Sequence, residues 1–204
     1  MTSAWDDARR AFADAAHWFA GTAGLVGDRW EEPGLGEWDV RALVGHTSRS
    51  LLTVEAYLAR PADAVEIGSA VAYFRATSEM AAGAAVAERG REAGVALGAD
   101  PAAAVADIAD RVLALVGSAD GGERVTTIAG GMRLADYLPT RTFELTVHTA
   151  DLATALGVPA DVPATAAAQA LRLVADLAVA GGRAGPLLLA ATGRPGLPPG
   201  FSVL

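Results

Sequence analysis

Hydrophobic positions recur along this chain at helical spacing. Trp5, Phe12 and Phe19 repeat every seven residues, with Ala8, Ala15 and Ala16 beside them. That is one apolar stripe of a first helix, opened by Ser3 as N-cap and ended among Gly21, Gly24 and Gly27. His17 falls off its centre, as a boundary residue. A second stripe runs through Val40, Leu43, Val44, Thr47, Leu51, Val54 and Leu58, with Asp39 in the N-cap position and Pro61 beyond its end. Trp38 is expected to staple the entry of this helix. A weaker stripe with Val71, Phe74 and Met80 predicts a third helix from about Val65 to Arg89, broken near Gly83. Residues Gly90 to Ala99 read as loop or frayed end.

Asp100-Pro101 is a start signal, with Asp as cap and Pro at the first helical position. It opens a fourth helix through Val105, Ile108, Val112, Leu115 and Val116, stopping near Gly117. Asp120-Gly121-Gly122 and Gly130-Gly131 read as turns around a short extended stretch from Val125 to Ile128. A long helix follows from about Leu134 to Leu156, with Gly157 behind its end. Pro139 costs little if that helix is capped at Asp136 and kinks it if the start lies nearer Met132. Asp161 or Thr165 opens a last helix through Leu171, Val174, Leu177 and Ala178, closed by Gly181-Gly182. The pattern assigns residues 1–182 to one helical bundle. Residues 183–204, rich in Gly and Pro, read as an irregular tail packed on it, too short for a core of its own.

The long helix carries two residues that do not suit a plain core. Leu138, Leu145 and Leu152 form one seven-residue column, and Leu134, Arg141, His148 and Ala155 form the next. Arg141 and His148 occupy seam positions, where an unpaired charge is costly. Glu144 lies four residues before His148, so both side chains can converge. The pair is either a helix-surface ion pair or two ligands of a divalent metal, with the seam position of His148 favouring the latter. His46, at the edge of the second stripe, is either a structural imidazole or the third ligand, and the three together would leave a position open for water or substrate. Asp151 reads as an acceptor that orients a histidine N–H or Arg141. Arg141 is either a salt-bridge partner of Asp151 or of an acid on the second helix, or a planar cation offered to a carboxylate substrate.

Composition narrows the function classes. The 204 residues are 52% hydrophobic with a formal net charge of −8, and the 16 basic residues, all Arg, form no basic run. Nucleic-acid and anionic-membrane binding are disfavoured. No apolar run approaches the roughly 18 residues of a membrane span. There is no Cys, hence no disulfide and no cysteine nucleophile. With no signal-peptide pattern in Met1-Thr2-Ser3-Ala4-Trp5-Asp6-Asp7, the expected location is cytoplasmic. No Walker A, no Gly-x-Gly-x-x-Gly and no Ser-His-Asp order is present.

Two segments together carry a family resemblance. Trp38-Asp39-Val40-Arg41-Ala42-Leu43-Val44-Gly45-His46 is similar to the Trp-x-Val-x-x-Leu-x-x-His segment of the mycothiol-dependent maleylpyruvate isomerase family. Arg141 to Leu152 resembles its Arg-x-x-Glu-x-x-Val-His-x-x-Asp-Leu segment. The match spans roughly residues 1–180. The resemblance implies an all-α, DinB-like four-helix bundle with additional short helices. It implies a divalent metal, zinc by expectation, on His46, Glu144 and His148, and mycothiol as the thiol cofactor. The function it implies is a metal- and thiol-dependent transferase or isomerase, acting with a low-molecular-weight thiol on a small electrophile. The family's isomerases carry a further C-terminal domain that contributes to the thiol site, where this sequence has the Gly/Pro-rich tail. A metal-dependent hydrolase and a non-catalytic ligand-binding bundle are the competing readings. A homodimer is compatible with such a bundle, although the sequence locates no interface.

Overall fold

The computed structural model describes residues 4–78, 84–195 and 197–204. The expected cap at Ser3, the break at Gly83 and the stripe position Met80 lie outside them. The chain is all-α apart from two short hairpins. Its helices are α1 (Ala4–Ala23), α2 (Val40–Leu58), α3 (Ala70–Thr77), α4 (Ala84–Ala96), α5 (Pro101–Ser118), α6 (Leu134–Ala155), α7 (Ala164–Ala180) and α8 (Ala184–Ala191). Strands β1 (Pro33–Leu35) and β2 (Trp38–Asp39) pair antiparallel, as do β3 (Arg124–Thr127) and β4 (Gly130–Arg133). No helix among the described residues is long and apolar enough to cross a membrane.

Four helices, α1, α2, α5 and α6, supply most of the main core. Phe12 and Phe19 from α1, Leu43 and Leu51 from α2, Val105 and Val112 from α5, and Leu138, Leu145 and Leu152 from α6 are all fully buried. Each such side chain contributes about 1.5–3 kcal/mol of burial. Asp39 caps α2 by accepting the Ala42 N–H at 2.7 Å, and Asp100 caps α5 through the Ala103 N–H at 3.1 Å. Trp5 donates its indole N–H to the Ala119 carbonyl, tying the start of α1 to the end of α5. A second, smaller cluster joins Phe143 of α6 to Ala170, Leu173 and Leu177 of α7, with Val203 from the C-terminal end packed against it.

Several sequence expectations change, each for a tertiary reason. The helix expected from Val65 starts only at Ala70, capped by Ser69. Residues 60–67 pair instead with the second hairpin: Ala62 N–H donates to the Arg124 carbonyl, Thr126 N–H to Arg60, and Glu66 and Ile67 N–H to Gly131. Gly131, expected in a turn, is therefore a strand residue. Residues 90–96, expected as loop, are helical, because α4 lies against α2 at backbone distance. A Cβ built on Gly45 would sit 2.1 Å from the Gly94 nitrogen, so both glycines are contact points that cost helix propensity and permit the approach.

Helix α7 begins after Pro163 without a side-chain cap, so neither Asp161 nor Thr165 serves. The Thr165 hydroxyl donates to Asp14 instead. Leu171, placed on the buried stripe by spacing, is 66% exposed. The C-terminal segment is less irregular than expected, since residues 184–191 form α8. Arg183 binds the segment back on itself through the Ser202 and Leu204 carbonyls.

Candidate metal centre

Helix α6 starts at Leu134, which puts Pro139 inside its second turn. The missing N–H leaves a gap in the helix ladder, and short side-chain bonds gather beside it. The Thr140 hydroxyl donates to the Tyr137 carbonyl at 2.6 Å, and Arg141 Nε donates to the Thr140 oxygen at 2.9 Å. Tyr137 is fully buried and donates its hydroxyl to Thr53 of α2 at 3.0 Å. These bonds lock the second turn of α6 against α2, one turn before Glu144.

From there the i, i+4 spacing takes effect. His148 Nε2 lies 3.2 Å from Glu144 Oε2, and His148 Nδ1 lies 3.1 Å from Asp151 Oδ2. The three side chains are only 18%, 21% and 29% exposed for His148, Glu144 and Asp151. His46 arrives from α2, its ring edge to face with His148 at 4.9 Å between centroids. One donor atom each from His46, Glu144 and His148 lies within 4.8 Å of the others. Residues on two helices, far apart in sequence, thus meet at one point.

Trp38 backs His46. The two rings are 4.5 Å apart and tilted by 33°. The indole N–H donates to the Ala87 carbonyl of α4 at 2.9 Å, and Gly90 leaves room for the indole, since a Cβ there would lie 2.7 Å from it. The expected staple at the helix entry is therefore also a wall behind a site residue. The Trp-to-His spacing was visible in the sequence; the stacking was not.

The electrostatics divide the two imidazoles. Burial, and then the neighbouring His148 charge, push the His46 pKa down to about 4. Burial also opposes charge on His148, but hydrogen bonds to Asp151 and Glu144 prevail and raise it to about 9. Burial likewise opposes ionisation of Glu144. The His148 hydrogen bond and the Arg141 charge overcome it and hold the carboxyl below the usual carboxylate range. Without an ion, the site at neutral pH is a neutral imidazole, an ionised carboxylate and an imidazolium clasped by two acids.

These donors fit a divalent cation. His46 Nδ1 is buried and has no hydrogen-bond partner among the described residues, and a neutral imidazole with an unused nitrogen is what a metal requires. The 3.2 Å between His148 Nε2 and Glu144 Oε2 is close to the edge of about 3.3 Å expected for tetrahedral ligands at roughly 2.0–2.1 Å from zinc. Asp151 touches Nδ1 of His148 and so fixes which nitrogen faces Glu144, the arrangement that orients metal-binding histidines. Arg141 does not pair with Asp151, nor with any acid among the described residues. Its guanidinium carbon lies 5.5 Å from the Tyr73 ring and 5.2 Å from the Tyr137 ring. The salt-bridge reading of Arg141 is corrected accordingly: Asp151 is engaged by His148. His17 lies elsewhere, exposed in a groove between α1 and α5 with Arg9, Arg10 and Asp110.

Sequence reasoning passed over Arg49, which follows His46 by three residues on α2 and whose charge bears on that imidazole. The i, i+3 spacing was the available signal. Tyr73 and Tyr137 flank Arg141. Tyr73 carried no signal, because α3 meets α6 only in the fold, whereas Tyr137 precedes Arg141 by four residues on α6 and that spacing was its signal.

No curated protein and no solved structure gives a significant match to the chain. The family described as the mycothiol maleylpyruvate isomerase N-terminal domain matches residues 13–153, a span that contains His46, Glu144, His148 and Asp151. The chain belongs to this family.

Proposed function

We propose that the protein is a divalent-metal-dependent transferase or isomerase that works with a low-molecular-weight thiol, mycothiol being the thiol its family implies, on a small electrophile. The observation that carries this reading is the meeting of His46, Glu144 and His148 donor atoms within 4.8 Å, with a buried His46 nitrogen left without a partner. Zinc suits two imidazoles and a carboxylate. When bound, such an ion supplies the positive charge that favours the thiolate, the nucleophilic form of a thiol, at neutral pH.

The chain's own residues set the conditions for that chemistry. Two neutral imidazoles and one carboxylate leave one positive charge of a divalent ion uncompensated, which matches one anionic sulfur. Asp151 holds His148 in a single orientation through Nδ1. Trp38 covers one side of His46 and limits the approach of water there. The protein itself offers no thiol, since it has no Cys, so the sulfur must come with a small molecule.

The test is metal analysis of the purified protein, followed by electrophile turnover with and without mycothiol and with and without a chelator. The expected result is one ion per chain and turnover that needs both ion and thiol. Turnover of esters or amides that needs the ion but no thiol would replace this reading with a hydrolase. Protein that takes up no ion would leave a ligand-binding bundle.

A further inference from the structure

Helix α7 buries one face, through residues such as Leu173 and Leu177, and leaves the opposite face apolar as well. On that outward side Leu171, Ala175 and Val179 follow at four-residue spacing. Leu171 is 66% and Val179 69% exposed, and Ala175 is exposed between them. The other bundle helices turn charge to the outside: α1 shows Asp7 and Arg10, and α5 shows Asp107, Asp110 and Arg111. Helix α8 departs further from a surface helix. Its eight residues hold no polar side chain and none of them is buried, with Leu188 64% and Leu189 53% exposed. A helix apolar all round is ordinarily a covered one. Because α8 packs against α7, the uncovered apolar side chains of both belong to neighbouring helices.

Two features of α7 fit a second copy of the same face. Leu171 and Val179 stand four residues, about 6 Å along the helix axis, on either side of Ala175. A two-fold axis beside Ala175 therefore sets Leu171 of each copy against Val179 of the other. The small side chain at the crossing lets the two helix axes approach to about 8 Å. The second feature is charge. Arg172 and Asp176 are the only charged residues of α7, and both are exposed. Neither has a hydrogen bond or ion pair among the described residues. An antiparallel pairing of α7 brings each Arg172 to the Asp176 of the other copy. The face is thus neutral within a chain of formal net charge −8, and copies can meet here without the repulsion their remaining surfaces impose. A stable pair buries about 800 Å² per partner, more than one ridge of three residues offers. Leu188 and Leu189 of α8 supply further apolar area.

We propose that the protein forms a two-fold homodimer in which α7 packs antiparallel on α7 of a second copy, about Ala175, with α8 flanking the contact. The inference goes beyond the proposed function and does not rest on it. Helix α7 meets α6 at Phe143, whereas His148 of α6 meets His46 of α2. Each His46–Glu144–His148 cluster therefore stays complete within one chain.

Sedimentation equilibrium of the metal-free protein from about 1 to 100 µM covers the affinities of ordinary dimers. It should show a monomer–dimer equilibrium that reaches twice the chain mass at the upper end. Ala175→Glu sets two carboxylates at the axis and should raise the dissociation constant about tenfold or more. Ala175 is exposed and Glu is a good helix former, so the circular dichroism should not change. Arg172→Glu and Asp176→Arg, each alone, place like charges across the contact twice over by symmetry. Each should weaken the dimer about tenfold or more. The double variant regains the crosswise pairs and should return to within about threefold of the parent. If Ala175→Glu loses helix content, the charge-swap variants decide the matter. A protein that stays monomeric throughout overturns the inference. So does a dimer that folded Ala175→Glu leaves intact, or one that the double variant does not restore. A monomer that floats with phosphatidylcholine vesicles would assign the face to a lipid surface and overturns the pairing as well. Absence of metal uptake or of thiol-dependent turnover bears on the proposed function alone.

Discussion

The imidazoles of His46 and His148 meet edge to face, 4.9 Å between ring centroids, and their affinities for a proton diverge, with a pKa of about 4 for His46 and about 9 for His148. Two adjacent buried imidazolium ions would repel, so the metal-free site at neutral pH holds its proton on His148, between Glu144 and Asp151. A metal must displace that proton. Zinc binding at pH 7.5 is therefore expected to release close to one proton per site. Apparent affinity should rise about tenfold per pH unit up to roughly pH 9 and then level off. Calorimetry in buffers of different ionisation enthalpy measures the released proton directly. Binding without proton release would show that His148 is already neutral or is not a ligand.

Asp151 is expected to tune the ion without holding it. It contacts His148 Nδ1 at 3.1 Å and is not one of the three converging donors. Asp151→Asn keeps an acceptor but removes the charge, and a loss of about 10-fold to 100-fold in metal affinity is expected. His148→Ala should abolish stoichiometric binding yet keep the helical fold, because the core of Phe12, Leu43, Leu51 and Leu145 does not depend on it. Competition with a chromogenic chelator ranks the variants. An Asp151→Asn protein as weak as His148→Ala would promote Asp151 to a ligand.

Gly45 precedes a proposed ligand at a point where helix propensity and packing disagree. Alanine is normally preferred inside a helix by about 1 kcal/mol. Here its Cβ would lie 2.1 Å from Gly94 nitrogen and 2.5 Å from Gly94 Cα. Those are backbone atoms, so no side chain can turn aside and α2 must part from α4. Gly45→Ala is expected to destabilise by about 1–3 kcal/mol or more, with weaker metal binding because His46 moves with its helix. Chemical denaturation of metal-free protein gives the first quantity. A variant as stable as the parent would mean that the helices are not held at this distance.

What could be read from the sequence followed local chemistry. Asp39, Asp100 and Gly157 announced helix ends, and the heptad columns of α6 placed Leu138, Leu145 and Leu152 in the core, where all three are fully buried. Arg141 and His148 stood out because they interrupted the neighbouring column, between Leu134 and Ala155. What could not be read depended on partners distant in sequence. Residues 60–67 have no strong strand signal, yet hairpin β3–β4 captures them. Gly90 and Gly94 look like helix breakers until the Trp38 indole lies against the first and α2 against the second. Thr140 and Tyr137 look like ordinary polar and aromatic positions of α6 until Pro139 frees the ladder and Arg141 needs support. The His46–Glu144–His148 cluster was legible as types and spacings, whereas the opposite charge states of its two histidines come from burial and from Asp151 in the folded chain.

Those charge states also predict how the metal-free protein responds to pH. The folded pKa of His148, about 9, lies above the ordinary 6.5. Its contribution to stability is therefore complete below pH 6.5 and is lost as pH rises through 9. That contribution is at most ~3.5 kcal/mol, since every tenfold gain in proton affinity on folding is worth about 1.4 kcal/mol. His46 acts in the opposite sense. Its folded value of about 4 lies below 6.5, so its contribution is present above pH 6.5 and lost as pH falls toward 4. The metal-free protein should accordingly melt at its highest temperature near pH 6–7 and decline on the alkaline side. His148→Ala should flatten that alkaline decline, and saturating zinc should reverse it, because the ion takes the place of the lost proton. Melting curves from pH 5 to 9.5, with and without zinc, decide the point. An alkaline decline of equal size in His148→Ala would place its origin in another group and remove the imidazolium from between Glu144 and Asp151.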